Sequence, residues 1–185
     1  RKETTDKNIE IAMTYVSNRS EELVVSYANY CTTVDHGTPL VGVKQGLTQV
    51  MVDYIKENCL SKKEKETLQI TGDDCRSGWV CVINANHINP SFVGQVKEKI
   101  GNPDLTPFAK SATVVGLKHW IETNDKEAKK IGTIIKKTAK LRIDGQKIRQ
   151  NTIKEINAFN INHKKFCRAT GKENLELIMV EGLRD

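Results

Sequence analysis

The hydrophobic period changes partway along this chain, and that change restricts the fold more than any other feature. Within residues 8–16, Ile9, Ile11, Met13 and Tyr15 fall at every second position, the spacing of a strand with one buried face. After a turn at 17–20, Leu23, Val25 and Tyr27 repeat the alternation, so the two runs read as a hairpin. From Thr38 the period lengthens. Val43, Leu47, Val50, Met51, Tyr54 and Ile55 make one stripe of a helix, with Thr38 as N-cap and Pro39 as first helical residue. Residues 61–65 read as a charged loop, Leu68 and Ile70 as a short strand, and 79–83 as another. Thr106-Pro107 repeats the cap signature before a helix marked by Phe108, Ala112, Val115, Trp120 and Ile121 and ending near Asn124. Asp125 then caps a long lysine-rich helix with Ala128, Ile131, Ile134, Ile135, Ala139 and Leu141 on its buried side. It extends to about Ile156, with Gly132 and Gly145 as weak points. Residues 157–162 read as a loop or linker, and 175–180 as a last strand. Strands first and helices later, without regular alternation, predict an α+β fold.

Composition removes several classes. Hydrophobic residues make up 38% of the 185 and charged ones 28%, enough for a packed core and unlike a disordered chain. No apolar run approaches the roughly 18–20 residues of a membrane helix, and no secretory signal is visible, so no membrane partner and a cytoplasmic setting are expected. Five scattered cysteines without a CxxC pair fit reduced thiols better than a disulfide framework or a zinc site. Cys75, Cys81 and His87 stand six apart, which is no ligand rhythm. The net charge of +6 is unevenly placed. Residues 126–154 hold ten basic and two acidic side chains, or +8, leaving −2 for the rest. Such a segment is either a solvated helix face or a nucleic-acid contact.

Two polar clusters could carry chemistry. In Gly72-Asp73-Asp74-Cys75-Arg76-Ser77-Gly78 the paired carboxylates could bind a metal or act as acid and base, but a turn with a local Asp–Arg pair explains them as well. In Phe92-Val93-Gly94-Gln95-Val96-Lys97-Glu98-Lys99, Gln95 and Lys97 stand two apart on what reads as an extended loop. Both then point one way, and both can donate to an anionic oxygen.

In this order the clusters resemble the transducer domain of the ATPase subunit of type IIA DNA topoisomerases. That family reads approximately G-D-D-x-R-E-G, a strand, then N/D-P-x-F-x-x-Q-T-K-x-K-L. Gly72, Asp73, Asp74, Arg76, Gly78, Pro90, Phe92, Gln95, Lys97 and Lys99 match it. Upstream, residues 35–43 are similar to the family's D-G-G-T-H-x-x-G-F, with His36 in place of Gly and Pro39 in place of His, so His36 inherits no role. Downstream, Leu177-Ile178-Met179-Val180-Glu181-Gly182 resembles the opening strand of a TOPRIM domain. Ser77 replaces the usual Glu and Val96 the Thr, while Leu183 and Arg184 stand where the family has Asp and Ser. These departures resemble T-even bacteriophage members of the family more than bacterial gyrases.

The resemblance implies a four-stranded sheet backed by helices, a fold shared with a ribosomal protein domain, plus the long basic C-terminal helix. It implies a transducer over 1–156, a linker over 157–174 and a truncated TOPRIM strand over 175–185. Gln95 and Lys97 would touch the γ-phosphate of ATP held by an ATPase domain of the same polypeptide. Lys129, Lys130, Lys136, Lys137 and Lys140 would contact duplex DNA. Glu181 would be the TOPRIM glutamate, serving Mg²⁺ binding and strand cleavage, although a strand-end Glu without a role fits too. ATP and Mg²⁺ are the expected cofactors of the parent, with none bound to this chain alone, which is expected to be inactive. A second copy of the subunit and a DNA-cleaving subunit are the expected partners. The rival readings are a nucleic-acid-binding α+β module with no link to ATP, and a purely structural spacer.

Overall fold

The structure is a computed structural model that describes residues 6–19 and 21–158. The chain divides into two compact units, 1–145 and 146–185. The sheet and its helices lie in the first, and the described part of the second is the helical stretch 146–158.

A four-stranded mixed sheet is built from β1 (Lys7–Tyr15), β2 (Leu23–Ala28), β3 (Cys31–Thr32) and β4 (Trp79–His87), in the order β1-β4-β2-β3. The expected β1–β2 hairpin is therefore not formed. β4 inserts between the two runs, antiparallel to β1 with Ile11 opposite Ile83 and parallel to β2 with Val25 opposite Val82. Joining parallel β2 to β4 needs a crossover, and the chain supplies one through α1 (Thr38–Asn58), α2 (Lys62–Thr67) and α3 (Gly72–Arg76). β4 also runs longer than the expected 79–83.

One face of the sheet is covered. Trp79, Cys81, Ile83 and Ala85 of β4 are buried, flanked by Met13 and Tyr15 of β1 and Val24 of β2. Against them pack α1, whose expected stripe Val43, Leu47, Val50, Met51, Tyr54 and Ile55 is buried throughout, and α4 (Leu105–Thr123). α1 and α4 lie backbone to backbone where Gly42 and Gly46 face α4. A Cβ on Gly42 would stand 2.2 Å from the Thr106 carbonyl oxygen, an approach only glycine permits.

Several local expectations are corrected. Thr38 is the first residue of α1, not its cap; Gly37 holds the cap position. The 61–65 loop is instead the start of α2. There Ser61 Oγ accepts the Glu64 N–H at 3.4 Å, and the Glu64 carboxylate accepts the Ser61 N–H at 2.9 Å. No strand forms at Leu68 and Ile70, and the 72–78 turn is the short helix α3, capped by Thr71 with Asp74. α4 starts at Leu105, so Thr106 lies inside it. Its fully buried line is Leu105, Ala109, Thr113 and Leu117; of the expected markers Trp120 and Ile121 pack against the core, whereas Val115 is 70% exposed. Thr113 tolerates burial because its hydroxyl donates to the Ala109 carbonyl at 2.8 Å.

α5 (Asp125–Ala158) follows α4 after the single residue Asn124. Ala128, Ile131, Ile135 and Ala139 are buried as expected, whereas Leu141 is 72% exposed. Neither Gly132 nor Gly145 interrupts the helix. At Gly132 the missing side chain makes room for Cys59, whose Sγ lies 2.7 Å from where a Cβ would stand. The expected final strand and Glu181 lie outside the described residues.

Candidate functional site

The Gln95/Lys97 cluster forms a small hairpin rather than an extended loop. β5 (Phe92–Val93) and β6 (Lys99–Ile100) pair antiparallel through Phe92–Ile100 and Val93–Lys99, leaving residues 94–98 as the connection. Gly94 at φ 82° and Lys97 at φ 58° make the tight return. The side of the hairpin that returns to the body is fixed against the start of α1. The Ile100 N–H donates to the His36 carbonyl at 3.2 Å, and the Asp35 N–H to the Glu98 carbonyl at 2.9 Å. A Cβ on Gly37 would fall 2.1 Å from the Ile100 oxygen, so glycine is required there, at φ 125°. His36 also sits in the left-handed region, at φ 57°, where the resembled family has glycine. Its Nδ1 lies 2.7 Å from Ser26 Oγ, a contact that helps satisfy the buried serine.

Gln95 and Lys97 are both exposed at the far end. Gln95 makes no hydrogen bond among the described residues. The Lys97 ammonium lies 5.7 Å from the centre of the Phe92 ring, a cation–π contact worth about 0.5–1 kcal/mol at an exposed site. An exposed contact of that size can be exchanged for an anion.

The lysines of α5 separate into two sets. Lys129 pairs with Asp125 at 2.7 Å. Lys136 reaches across to Glu64 at 2.8 Å and to the Cys59 carbonyl at 3.1 Å. That ammonium, together with the Ser61 N–H and hydroxyl, draws the Glu64 pKa down to about 2. Lys130, Lys137 and Lys140 make no ion pair among the described residues. At 100° per residue they fall together, with Lys126, on the side opposite Ala128, Ile135 and Ala139.

The two carboxylates of the 72–78 cluster part company. Asp73 is exposed and pairs with Arg76, which also reaches Glu22 and the Thr48 hydroxyl. Asp74 is buried and grips Arg142 of α5 through two hydrogen bonds of 2.9 Å, Arg142 Nε to Oδ1 and Nη2 to Oδ2. The local Asp–Arg pair therefore accounts for Asp73 only. Sequence reading missed the long-range partner, since nothing local couples positions 74 and 142. Burial pushes the Cys75 thiol up to about 12 and Cys81 to about 11, which keeps both protonated and unreactive. Among the described residues no three His, Cys, Asp or Glu side chains gather as a metal site. A polar cluster around Asn102 at the root of the hairpin also escaped the sequence reading.

The family model described as DNA gyrase B matches residues 1–151 of this chain. The chain belongs to the DNA gyrase B family. It is 34% identical over 178 residues to the DNA gyrase B protein of Mycolicibacterium smegmatis, covering 94% of this chain and 26% of that protein. With the DNA gyrase B protein of Campylobacter jejuni the identity is 33% over 180 residues, covering 96% and 23%. This member of the family thus spans about a quarter of the length of the curated relatives it matches. Among solved structures it is similar to the topoisomerase IV ATP binding domain of Francisella tularensis in complex with a small-molecule inhibitor. The TM-score there is 0.66 at 32% identity, over 76% of this chain and 38% of that one. The 43K ATPase domain of Thermus thermophilus gyrase B, in complex with an aminocoumarin, gives 0.70 at 26% identity, over 79% and 38%. No helix among the described residues of this gyrase B family chain is long and apolar enough to cross a membrane.

Proposed function

We propose that this chain is the transducer region of an ATP-dependent type II DNA topoisomerase, with Gln95 and Lys97 reporting the state of a nucleotide. The observation that carries the reading is the hairpin. Its root is tied to the body, while its far end exposes Gln95 and Lys97 to solvent, with Val96 and Glu98 beside them. That pair fits the terminal phosphate of a nucleotide held by a neighbouring ATPase domain of the parent. The contacts exist only while the phosphate is present, so the loop favours one domain arrangement before hydrolysis and another after it. Replacing Lys97 by alanine in the parent protein is expected to lower ATP hydrolysis by about 10²–10³, the cost of one preorganised contact to developing charge. Wild-type hydrolysis by Lys97→Ala would remove the nucleotide from this reading.

The DNA-facing part of the proposal rests on the outward stripe of α5. Lys130, Lys137 and Lys140 carry most of it, and Lys129 and Lys136 less, because Lys129 pairs with Asp125 of the same helix and Lys136 with Glu64. Binding to duplex DNA is expected to be measurable at about 50 mM salt and to fall steeply as salt rises. Changing Lys130, Lys137 and Lys140 together to glutamine reduces the slope of log K against log salt by about 3, roughly one counterion for each phosphate that a lysine no longer neutralises. An unchanged slope would make α5 a solvated strut. In the proposed parent, residues 157–174 link to a TOPRIM domain opening at 175–185, where Glu181 would serve Mg²⁺ and cleavage together with acids beyond this chain. A second copy of the parent and a DNA-cleaving protein complete the proposed assembly. The substitutions at Ser77, Val96, Leu183 and Arg184 support placing that parent with the phage members of the family.

A further inference from the structure

We propose that Asn102, acting with His87, is the positioning residue of the Gln95/Lys97 hairpin; the inference rests on the nucleotide reading above. A hairpin of two residue pairs cannot hold its own direction, because so short a ladder is marginal in water. Its direction has to be set at the root. Asn102 is 7% exposed and clasps both chains that enter and leave the hairpin. Its Oδ1 accepts the Ser91 N–H at 2.6 Å, and its Nδ2 donates to the Asn89 carbonyl at 3.0 Å. The Gly101 N–H closes the same ring onto the Ser91 carbonyl at 2.7 Å.

His87 ties this clasp to the sheet. The Asn89 N–H donates to His87 Nδ1 at 3.0 Å, so the neutral ring carries its proton on Nε2, which faces Asp104 Oδ2 at 3.3 Å. Asp104 is also paired with Lys7 of β1 at 2.9 Å. Behind the ring, Asn29 brackets the His87 backbone, its amide donating to the His87 carbonyl at 2.9 Å and its oxygen accepting the His87 N–H at 2.8 Å. The clasp therefore connects three elements, the end of β4, the root of the hairpin and the start of α4. The two short Asn102 hydrogen bonds both go to backbone, so the residue fixes the path of the chain. Removing it loosens the chain that enters the hairpin while the Asp35 and Ile100 bonds still hold the one that leaves, so the tip shifts, and a misplacement of about 1 Å at a reacting group costs on the order of 10²-fold.

The test compares ATP hydrolysis by the parent protein carrying Lys97→Ala, Asn102→Ala or both. Asn102→Ala is expected to lower kcat about ten- to a hundredfold with KM for ATP little changed, because the contact it positions strengthens in the transition state. The double variant is expected to lose less than the product of the two single losses, since Asn102 acts only through the tip, where Gln95 alone remains to be positioned. A merely structural asparagine would instead multiply its loss onto that of Lys97→Ala, and that result overturns the proposal. So does a wild-type kcat for Asn102→Ala while Lys97→Ala is impaired. If Lys97→Ala is itself unimpaired, the nucleotide reading fails and takes this inference with it. Should Asn102→Ala fail to fold, Asn102→Asp replaces it under the same outcomes, since it keeps the acceptor for Ser91 and loses the donor to Asn89.

Discussion

Asp74→Ala is expected to cost this chain about 3–5 kcal/mol of stability, the range for breaking a buried ion pair from one side. The carboxylate is 3% exposed and stands at the meeting point of three segments. It caps α3 by accepting the Thr71 N–H and hydroxyl, each at 2.8 Å. It also holds Arg142, whose Nη2 continues to the Gln69 carbonyl at 2.7 Å. Alanine would remove the reciprocal half of the α3 capping box and leave a mostly covered guanidinium without its carboxylate partner. Asp74→Asn keeps an acceptor for the cap and loses the charge, so its cost is expected to be smaller.

The same carboxylate predicts the pH response. Burial by itself would raise the Asp74 pKa, but Arg142 and the Thr71 donors outweigh it and leave the group below its usual value. A group depressed on folding stabilises above its unfolded pKa, and the contribution is lost as pH falls through the folded one. Glu64, drawn down to about 2, adds to the same acid loss. Urea titration at pH 7 and pH 3, read by tryptophan fluorescence, should show Asp74→Ala losing less on acidification than the unsubstituted chain. Equal losses would mean that the Asp74–Arg142 pair is not what acid breaks.

Trp79→Ala is expected to cost about 3–5 kcal/mol, as for large aromatic truncations in a core. Trp79 opens β4 and is 4% exposed, with its ring edge-on to Tyr15 at a centroid distance of 5.5 Å. It belongs to the cluster that joins α1, the sheet and α5 through Met51, Ile55, Ile131 and Ile135. Trp79→Phe should cost less than Trp79→Ala, because it keeps an aromatic ring against Tyr15 and leaves a smaller cavity, and because the indole N–H is buried without a hydrogen-bond partner among the described residues. Equal destabilisation by both substitutions would show that the N–H matters and that the packing argument is wrong. Urea midpoints of the two variants at neutral pH decide it.

What could be read beforehand follows the range of the interactions. The period of β1, β2 and α1 is a local property, and the α+β class followed from it; the number of strands came with the motif resemblance. The β1–β2 hairpin failed because strand order is decided by which strand fills the middle, and β4 lies far along the chain, beyond the α1–α3 crossover. Residues 62–67 and 72–76 were missed as helices although each carries a capping box, Ser61 with Glu64 and Thr71 with Asp74. On α4 only Val115 is misplaced, because Thr113, which bonds its own turn, takes an inward position that an apolar residue is expected to fill. Gln95 and Lys97 stood out through motif resemblance. Asn102 and Arg142 did not, since their partners are backbone atoms or a residue 68 positions away.

Asn124 alone separates α4 from α5, and it serves both helices. Its N–H closes the last turn of α4 on the Trp120 carbonyl at 2.9 Å, and its own carbonyl accepts the Ala128 N–H at 2.9 Å. Its side-chain amide adds a second bond to Trp120, at 3.0 Å. A coupling of this kind has a single joint. Any turning of α5 at that point must be taken up by the φ and ψ of one residue or passed into α4 undiminished. Displacement entering at either helix therefore has only that one residue in which to be lost before it reaches the other.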